Sequence, residues 1–403
     1  MARAKKSKAE AIKNLKSLMN GINKKANETI IGFANDNEIA ESIKIEFLPT
    51  KSHALNEAFG GYPLGKLTII TGMADCGKTS RILEDIGYNM KLDPEAVFAW
   101  VESEGSLSQE MIDLFEIDRE RFIIYQVDPN TGAEEAMDIC ISLAEAGVRM
   151  IAINSLRCLT PSKEFKDSVG DANIGLQARI NAKFMRKVIP VLDKSGTALV
   201  CTQHKSTNIG KMFGDPMELS GGHALRYNSM LILDLTKLTI QKGDMYYDMK
   251  NDVIRVKCKV QKNHCCATKN PYVSAEYTVI IGKGTDERGE IIQAAFDMGL
   301  VEKQGAWIRI YPDGVKHDKG NELVLNNGDV CKFNGMSAYM DYLNSTDELY
   351  EFLKARVEGN VVSSVQSLSD EEIDILERNN NGEITEEEMY EQLEEIVEAS
   401  EEE

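Results

Sequence analysis

From about residue 46 to 282 the chain alternates short apolar runs with longer stretches whose apolar positions recur at helical spacing. Such alternation is the pattern of strand–helix–strand units built into a mostly parallel sheet. The runs predict strands at Leu67–Thr71, Val97–Val101, Phe122–Gln126, Met150–Asn154, Ala198–Thr202 and Met230–Leu235, with helices over Gly132–Ala146 and Gly175–Leu192 between them. Two later runs, Val253–Val260 and Tyr277–Ile281, predict antiparallel additions to the sheet edge. Outside this core, residues 1–45 read as a helical arm and 283–365 as a small C-terminal α+β domain. Residues 366–403 are rich in Glu and poor in aromatics, hence an acidic tail, helical in patches or disordered.

Composition sharpens this picture at two points. No apolar run approaches the roughly 18 residues that a membrane span needs, which excludes a membrane-embedded class. The first residues are basic but lack an apolar secretory stretch, so the expected location is the cytoplasm, where the eight cysteines stay mostly reduced. Charge is unevenly spread. Residues 1–25 hold eight basic residues against Glu10, and residues 366–403 hold sixteen acidic residues against Arg378. Much of the net charge of −19 therefore sits in the tail, and the acidic balance does not exclude nucleic acid, which answers to local basic patches.

Directly after the strand Leu67–Thr71 comes Gly72-Met73-Ala74-Asp75-Cys76-Gly77-Lys78-Thr79, followed by Ser80 and a helical stretch. This fits GxxxxGK[ST] in its proper strand-to-helix setting. Gly72 and Gly77 let the backbone curl so that its N–H groups converge on phosphate oxygens. Lys78 supplies charge to the β and γ phosphates, and the Thr79 hydroxyl suits Mg²⁺. ATP and Mg²⁺ are the implied ligands. Cys76 reads as a small packing residue, although Lys78 and the helix start could lower its pKa.

The surroundings of this loop resemble one family. Upstream, LPTKSHALNEAFGGYPLGKLTIITG is similar to the entry of the RecA recombinase core. Downstream, LTPSKEFKDSVGDANIGLQARINAKFMRK and NIGKMFGDPMELSGGHALRYNSMLILDL resemble its two DNA-binding loops in the same order. The likeness spans about residues 46–310 and includes phage members of the family. It implies an α/β P-loop NTPase of RecA type. The implied activity is that of an ATP-dependent homologous recombinase, which forms helical filaments on single-stranded DNA, searches double-stranded DNA for homology and exchanges strands. The implied setting is a bacterial or phage-infected cell, with mediator and single-strand-binding proteins as further partners, and residues 1–45 as the polymerisation arm.

Carried over position by position, the resemblance assigns Glu104, just past the second strand, to polarising the attacking water; read without it, Glu104 is an exposed carboxylate at a strand end. The γ-phosphate-sensing position falls on His204, with Gln203 adjacent. The position whose carboxylate normally holds a Mg²⁺-bound water is Asn154, a departure that removes a negative charge and leaves Glu102 as another carboxylate that could serve. A Lys-x-Lys pair that reaches a neighbouring subunit's ATP is matched by Lys262 and His264, and an adenine-stacking Tyr by Met111.

For DNA, Arg179, Lys183 and Arg186 lie at i, i+4 and i+7 of a predicted helix, three cations on one face suited to phosphates, or simply a solvated surface. The loop from Lys205 adds Lys211, with Met212 and Phe213 as apolar wedges against bases, and Gly221 and Gly222 allow close approach to phosphate. Ile174 matches an apolar side chain that the family inserts between bases. Residues 377–388 resemble an EF-hand loop, but position 1 is Glu and no second loop exists. Two competing readings stay open: a ring helicase of the same fold, and a weakly hydrolysing ATP-dependent DNA scaffold, which Asn154 favours.

Overall fold

The structure, a computed structural model, describes residues 8–128, 132–166, 175–207, 217–219, 223–241, 246, 249–265, 272–311, 322–325 and 330–365. The chain divides into two compact units, Met1–Glu290 and Ile291–Glu403.

The first unit opens with helices α1 (Lys8–Ala26) and α2 (Asn37–Ile43). Strand β1 (Phe47–Leu48), helix α3 (His53–Phe59) and strand β2 (Tyr62–Pro63) follow, with β1 and β2 paired antiparallel. The core then runs β3 (Leu67–Gly72), α4 (Lys78–Leu92), β4 (Phe98–Glu102), α5 (Gln109–Leu114), β5 (Phe122–Gln126), α6 (Gly132–Glu145), β6 (Met150–Asn154), α7 (Ser162–Lys166), α8 (Leu176–Ser195) and β7 (Ala198–Thr207). It closes with β8 (Met217–Leu219), α9 (His223–Asn228), β9 (Leu231–Leu238), β10 (Val253–Asn263), β11 (Ser274–Ile280) and β12 (Gly284–Thr285), after which α10 (Glu287–Asp297) leads to the second unit.

The sheet order is β12-β11-β10-β9-β3-β7-β6-β4-β5. From β9 to β5 every neighbouring pair is parallel, whereas β10, β11 and β12 add antiparallel strands at one edge, as the apolar runs predict. Side chains alternate between faces with the period of two that a strand dictates. Ile70, Trp100, Ala152, Val200 and Leu233 pack on the side of Leu83 and Ile86 from α4. Ile69, Val101, Ile151, Leu199 and Ile232 pack on the other side, against Cys140 of α6 and Phe184 and Val188 of α8. Both faces are covered, which is why the central strands read as unbroken apolar runs. Burying each large apolar side chain contributes about 1.5–3 kcal/mol.

Two strands outrun their apolar pattern. The polar end of β7, through Thr207, is extended because it pairs antiparallel with β8. Strand β10 continues past a bulge between Val260 and Lys262 to Asn263.

Helix α4 also buries charge. Arg81 donates to Asp85 through Nε (2.9 Å) and a second, shorter contact, to Glu84 (3.0 Å) and to Thr285 Oγ1 (2.7 Å). Asp85 further accepts from Lys51 N and Tyr62 Oη, both at 2.8 Å. Burial pushes Asp85 above the usual carboxylate range despite Arg81. This cluster ties the helix behind the phosphate loop to β12 and to the segment before α3.

The second unit holds β13 (Val301–Gln304), β14 (Trp307–Ile310) and β15 (Lys332–Asn334) in an antiparallel sheet, followed by α11 (Gly335–Ser345) and α12 (Asp347–Val365). Its core includes Ile308, Ile310, Tyr339, Leu343 and Leu353.

Candidate active site

Strand register assembles the site. Parallel pairing of β3 with β7 sets Thr71 opposite Gln203 and Gly72 opposite His204, and pairing of β4 with β6 sets Glu102 opposite Asn154. All lie at the C-terminal edge of the sheet, where open α/β sheets bind ligands.

The phosphate loop spans β3 to α4. Gly72 is dictated by space: a Cβ there would stand 2.5 Å from Cys76 Sγ and 2.6 Å from the Leu235 carbonyl. Asp75 (φ 57°) and Gly77 (φ 84°) are left-handed, which turns the backbone sharply into α4. Lys78 is buried, and its ammonium donates to the carbonyls of Met73 (2.7 Å) and Gly72 (3.3 Å), bracing the two ends of the loop. Thr79 and Ser80 follow, half-buried, in the first turn of α4, whose leading N–H groups have no partner within the helix. Cys76 is buried, and desolvation raises its thiol in spite of Lys78, so it is a packing residue.

Asn154 is buried beside this loop. Its Oδ1 accepts from Thr202 Oγ1 (2.8 Å) and Thr79 Oγ1 (3.4 Å), and its Nδ2 donates to Ser106 Oγ (2.9 Å). One amide thus joins the phosphate loop, strand β7 and the turn that carries Glu104. Among the described residues no group of three or more His, Cys, Asp or Glu side chains could hold a metal ion. The donor set fits a Mg²⁺ carried mainly by nucleotide phosphates and water, with Thr79 and Asn154 as neutral neighbours. Glu102 does not supply the missing carboxylate: it is buried, and both its oxygens are taken by Trp100 Nε1 (2.8 Å), Glu104 N (2.8 Å) and Ser106 N (3.3 Å).

Glu104 Oε1 lies 2.9 Å from His204 Nε2, with the Cys158 thiol 3.7 Å away. Desolvation pushes this carboxyl up, but hydrogen bonds from Ser155 and His204 outweigh it and hold Glu104 below its ordinary value. Gln203, next to His204, is fully buried in β7. Met111, on α5, packs half-buried against the core on the α4 side.

The ammonium groups of Lys205 and Lys262 find partners within the chain. The Lys205 ammonium meets Asp234 Oδ2 at 2.5 Å, and Asp234 also receives Thr71 Oγ1 and Gln261 Nε2, each at 3.2 Å. Lys262 Nζ donates to the carbonyls of Arg226 (3.0 Å), Tyr227 (3.1 Å) and Ser229, capping the C-terminal end of α9; desolvation, then the neighbouring Arg226, lowers its pKa. The exposed His264 donates its backbone N–H to Met230 O at 2.9 Å. Along α8, Arg179, Lys183 and Arg186 are all exposed, as their spacing predicts. Ile174, Lys211, Met212, Phe213, Gly221, Gly222, the EF-hand-like stretch and the acidic tail lie outside the described residues.

Sequence reasoning missed the roles of Glu102, Ser106, Thr202 and Asp234 as tethers. The polar ends of otherwise apolar strands were the available signal, because a buried polar group there must find a partner.

The RecA N-terminal domain family matches residues 13–286. Curated relatives named Protein RecA include that of Heliobacterium modesticaldum, 32% identical over 288 residues, covering 70% of this chain and 80% of the relative. Those of Aquifex pyrophilus (32% over 310 residues, 76% and 85%) and Gloeobacter violaceus (32% over 320 residues, 79% and 82%) are similar to the same extent.

Proposed function

The chain belongs to the RecA family, and from that membership we propose a division of labour among its residues. As a RecA-type recombinase it is a DNA-dependent ATPase that promotes strand exchange. ATP would lie across the loop Gly72–Thr79, with Lys78 leaving its carbonyl partners for the β and γ phosphates and the backbone N–H groups at the start of α4 meeting phosphate oxygens. Mg²⁺, beside Thr79 and Asn154, would neutralise developing phosphate charge. Glu104, kept as a carboxylate by its hydrogen-bond donors, accepts a proton-side hydrogen bond from the attacking water and aligns it with the γ phosphate. His204 bridges Glu104 to β7, whose chain continues into residues 208–216. Binding there can therefore alter the water-aligning group.

The observation that carries this reading is the convergence of the phosphate loop, Asn154, the Glu104 turn and His204 at one sheet edge. Single-stranded DNA would run along Arg179, Lys183 and Arg186 of α8 and the residues that follow β7, with Lys205 exchanging Asp234 for phosphate. Double-stranded DNA is the second substrate. Residues 1–45 would dock on the next protomer of a helical filament, consistent with the exposure of Ile30, Ile31 and Ile43. Lys262 and His264 would approach that protomer's nucleotide, and Met111 would flank adenine. Mediator and single-strand-binding proteins complete the set of partners, in the cytoplasm of a bacterial or phage-infected cell. No described helix is long and apolar enough to cross a membrane.

Negative-stain imaging with single-stranded DNA and a non-hydrolysable ATP analogue tests the reading. Wild type forms open helical filaments, and Lys78→Ala forms none while remaining folded. Closed rings, or filaments and full strand exchange by Lys78→Ala, would overturn it. A weakly hydrolysing scaffold is the second reading, favoured by the neutral, buried Asn154; steady-state ATPase that single-stranded DNA fails to raise would select it.

A further inference from the structure

The sequence Trp100-Val101-Glu102-Ser103-Glu104-Gly105-Ser106 carries two carboxylates two residues apart at the end of β4. A period of two would send both to the same face of a continuing strand. The strand stops at Glu102, however, and the chain turns through Gly105 (φ 70°), so the two side chains take different surroundings. Glu104 reaches His204, while Glu102 stays buried under the turn.

Glu102 is saturated with donors. Its Oε2 accepts the indole N–H of Trp100, a fully buried ring whose N–H needs an acceptor inside the protein. Its Oε1 accepts the backbone N–H of Glu104 and that of Ser106. A carboxylate can accept at both oxygens and donates nothing, so it suits three N–H groups where an amide would set donor against donor. One oxygen is anchored in the core and the other holds the turn at Glu104's own peptide N–H.

We infer that Glu102 is a positioning residue for ATP hydrolysis, fixing through the Glu104 and Ser106 peptides the place from which the Glu104 carboxylate meets the attacking water. The neighbouring ties serve the same turn: Ser103 Oγ donates to the carbonyls of Asn154 (3.0 Å) and Ser155 (2.9 Å), and Asn154 Nδ2 holds Ser106. Those anchor its flanks to β6. Glu102 alone accepts from the peptide of Glu104 itself among the described contacts. The inference rests on Glu104 being the water-aligning group.

Three variants separate the two ideas: Glu102→Gln, Glu104→Gln and the double variant, each assayed for single-stranded-DNA-stimulated ATPase and for binding of a fluorescent ADP analogue. A misplacement of about 1 Å at a reacting group costs on the order of 10²-fold in rate. Glu102→Gln is therefore expected to lower kcat by about 10- to 100-fold, with KM for ATP and analogue affinity within about twofold of wild type. Because Glu102 acts only through Glu104, the double variant should be no slower than Glu104→Gln alone. If Glu104→Gln retains wild-type kcat, the reading of Glu104 fails. If Glu104→Gln is slow while Glu102→Gln is not, or if the two losses multiply, the positioning role fails with the reading of Glu104 intact. Should Glu102→Gln not fold, Glu102→Asp carries the same test: its carboxylate is one methylene short of joining Trp100 to the turn, so kcat should fall at unchanged KM, and wild-type kcat would overturn the inference.

Discussion

Glu290 offers a quantitative handle on the first unit. It lies 6% exposed at the start of α10, with Oε1 accepting from Ser52 Oγ (2.7 Å) and Oε2 from Ala54 N (3.3 Å) at the N-terminal end of α3. Burial outweighs these donors and lifts its pKa from 4.5 to about 7. A folded-state value above the unfolded one means that the folded protein binds the proton more tightly. The resulting stabilisation is complete below about pH 4.5 and is lost as pH rises through 7. At 1.36 kcal/mol per unit, the loss between pH 5 and pH 8 is about 2 to 3 kcal/mol. Glu290→Gln freezes a neutral group at the site. Its amide N–H faces the Ala54 N–H, a roughly pH-independent cost of about 1–2 kcal/mol. The variant should accordingly be less stable than wild type at pH 5 and match or exceed it at pH 8. Urea titrations followed by tryptophan fluorescence in a Trp307→Phe background, where only Trp100 reports, measure the first unit by itself. A stability difference between Glu and Gln that stays constant within about 0.5 kcal/mol from pH 5 to 8 would refute the reasoning.

Three further outcomes follow from the same geometry. Asn154→Asp keeps the acceptor for Thr202 and lets the Ser106 hydroxyl rotate to donate, so the fold should hold while the Mg²⁺ concentration for half-maximal ATPase falls several-fold; an unchanged Mg²⁺ titration would argue against a metal role at this position. Arg81→Met strips the buried Asp85 and Glu84 of their cation and should destabilise the first unit by about 3 kcal/mol, the lower part of the range for breaking buried pairs because Lys51, Tyr62 and Thr285 still donate. A loss under 1 kcal/mol in urea would contradict it. Deleting residues 370–403 should tighten DNA binding chiefly at low salt, with a bias towards duplex, since the tail's charge competes with phosphate over a Debye length of about 10 Å at 0.1 M; fluorescence anisotropy that shows equal affinity at every salt concentration would rule out that competition.

What the amino-acid sequence determined by itself was everything carried by short-range pattern. Apolar runs located the parallel strands because those strands are buried on both faces, and the glycines, Lys78 and Thr79 marked the phosphate loop because its geometry is local to eight residues. The spacing of Arg179, Lys183 and Arg186 likewise sufficed to put them together on the exposed face of α8. Tertiary structure decided which polar groups meet. Parallel register brought His204 across from Gly72, and it brought Asn154 into reach of Thr79, Thr202 and Ser106, which stand 48 to 75 residues from it in the chain. Neither Arg81, Glu84 and Asp85 on α4 nor Glu102 could be told from solvated charges by periodicity, since helical and strand spacing report faces and not partners. A buried charge is tolerated only where partners surround it: Arg81 gains Thr285 from β12, and Glu102 gains the Trp100 indole and the Glu104 and Ser106 peptides of its own turn, which only the folded backbone aims at it, so the distinct tasks of Glu102 and Glu104 exist only in the folded chain.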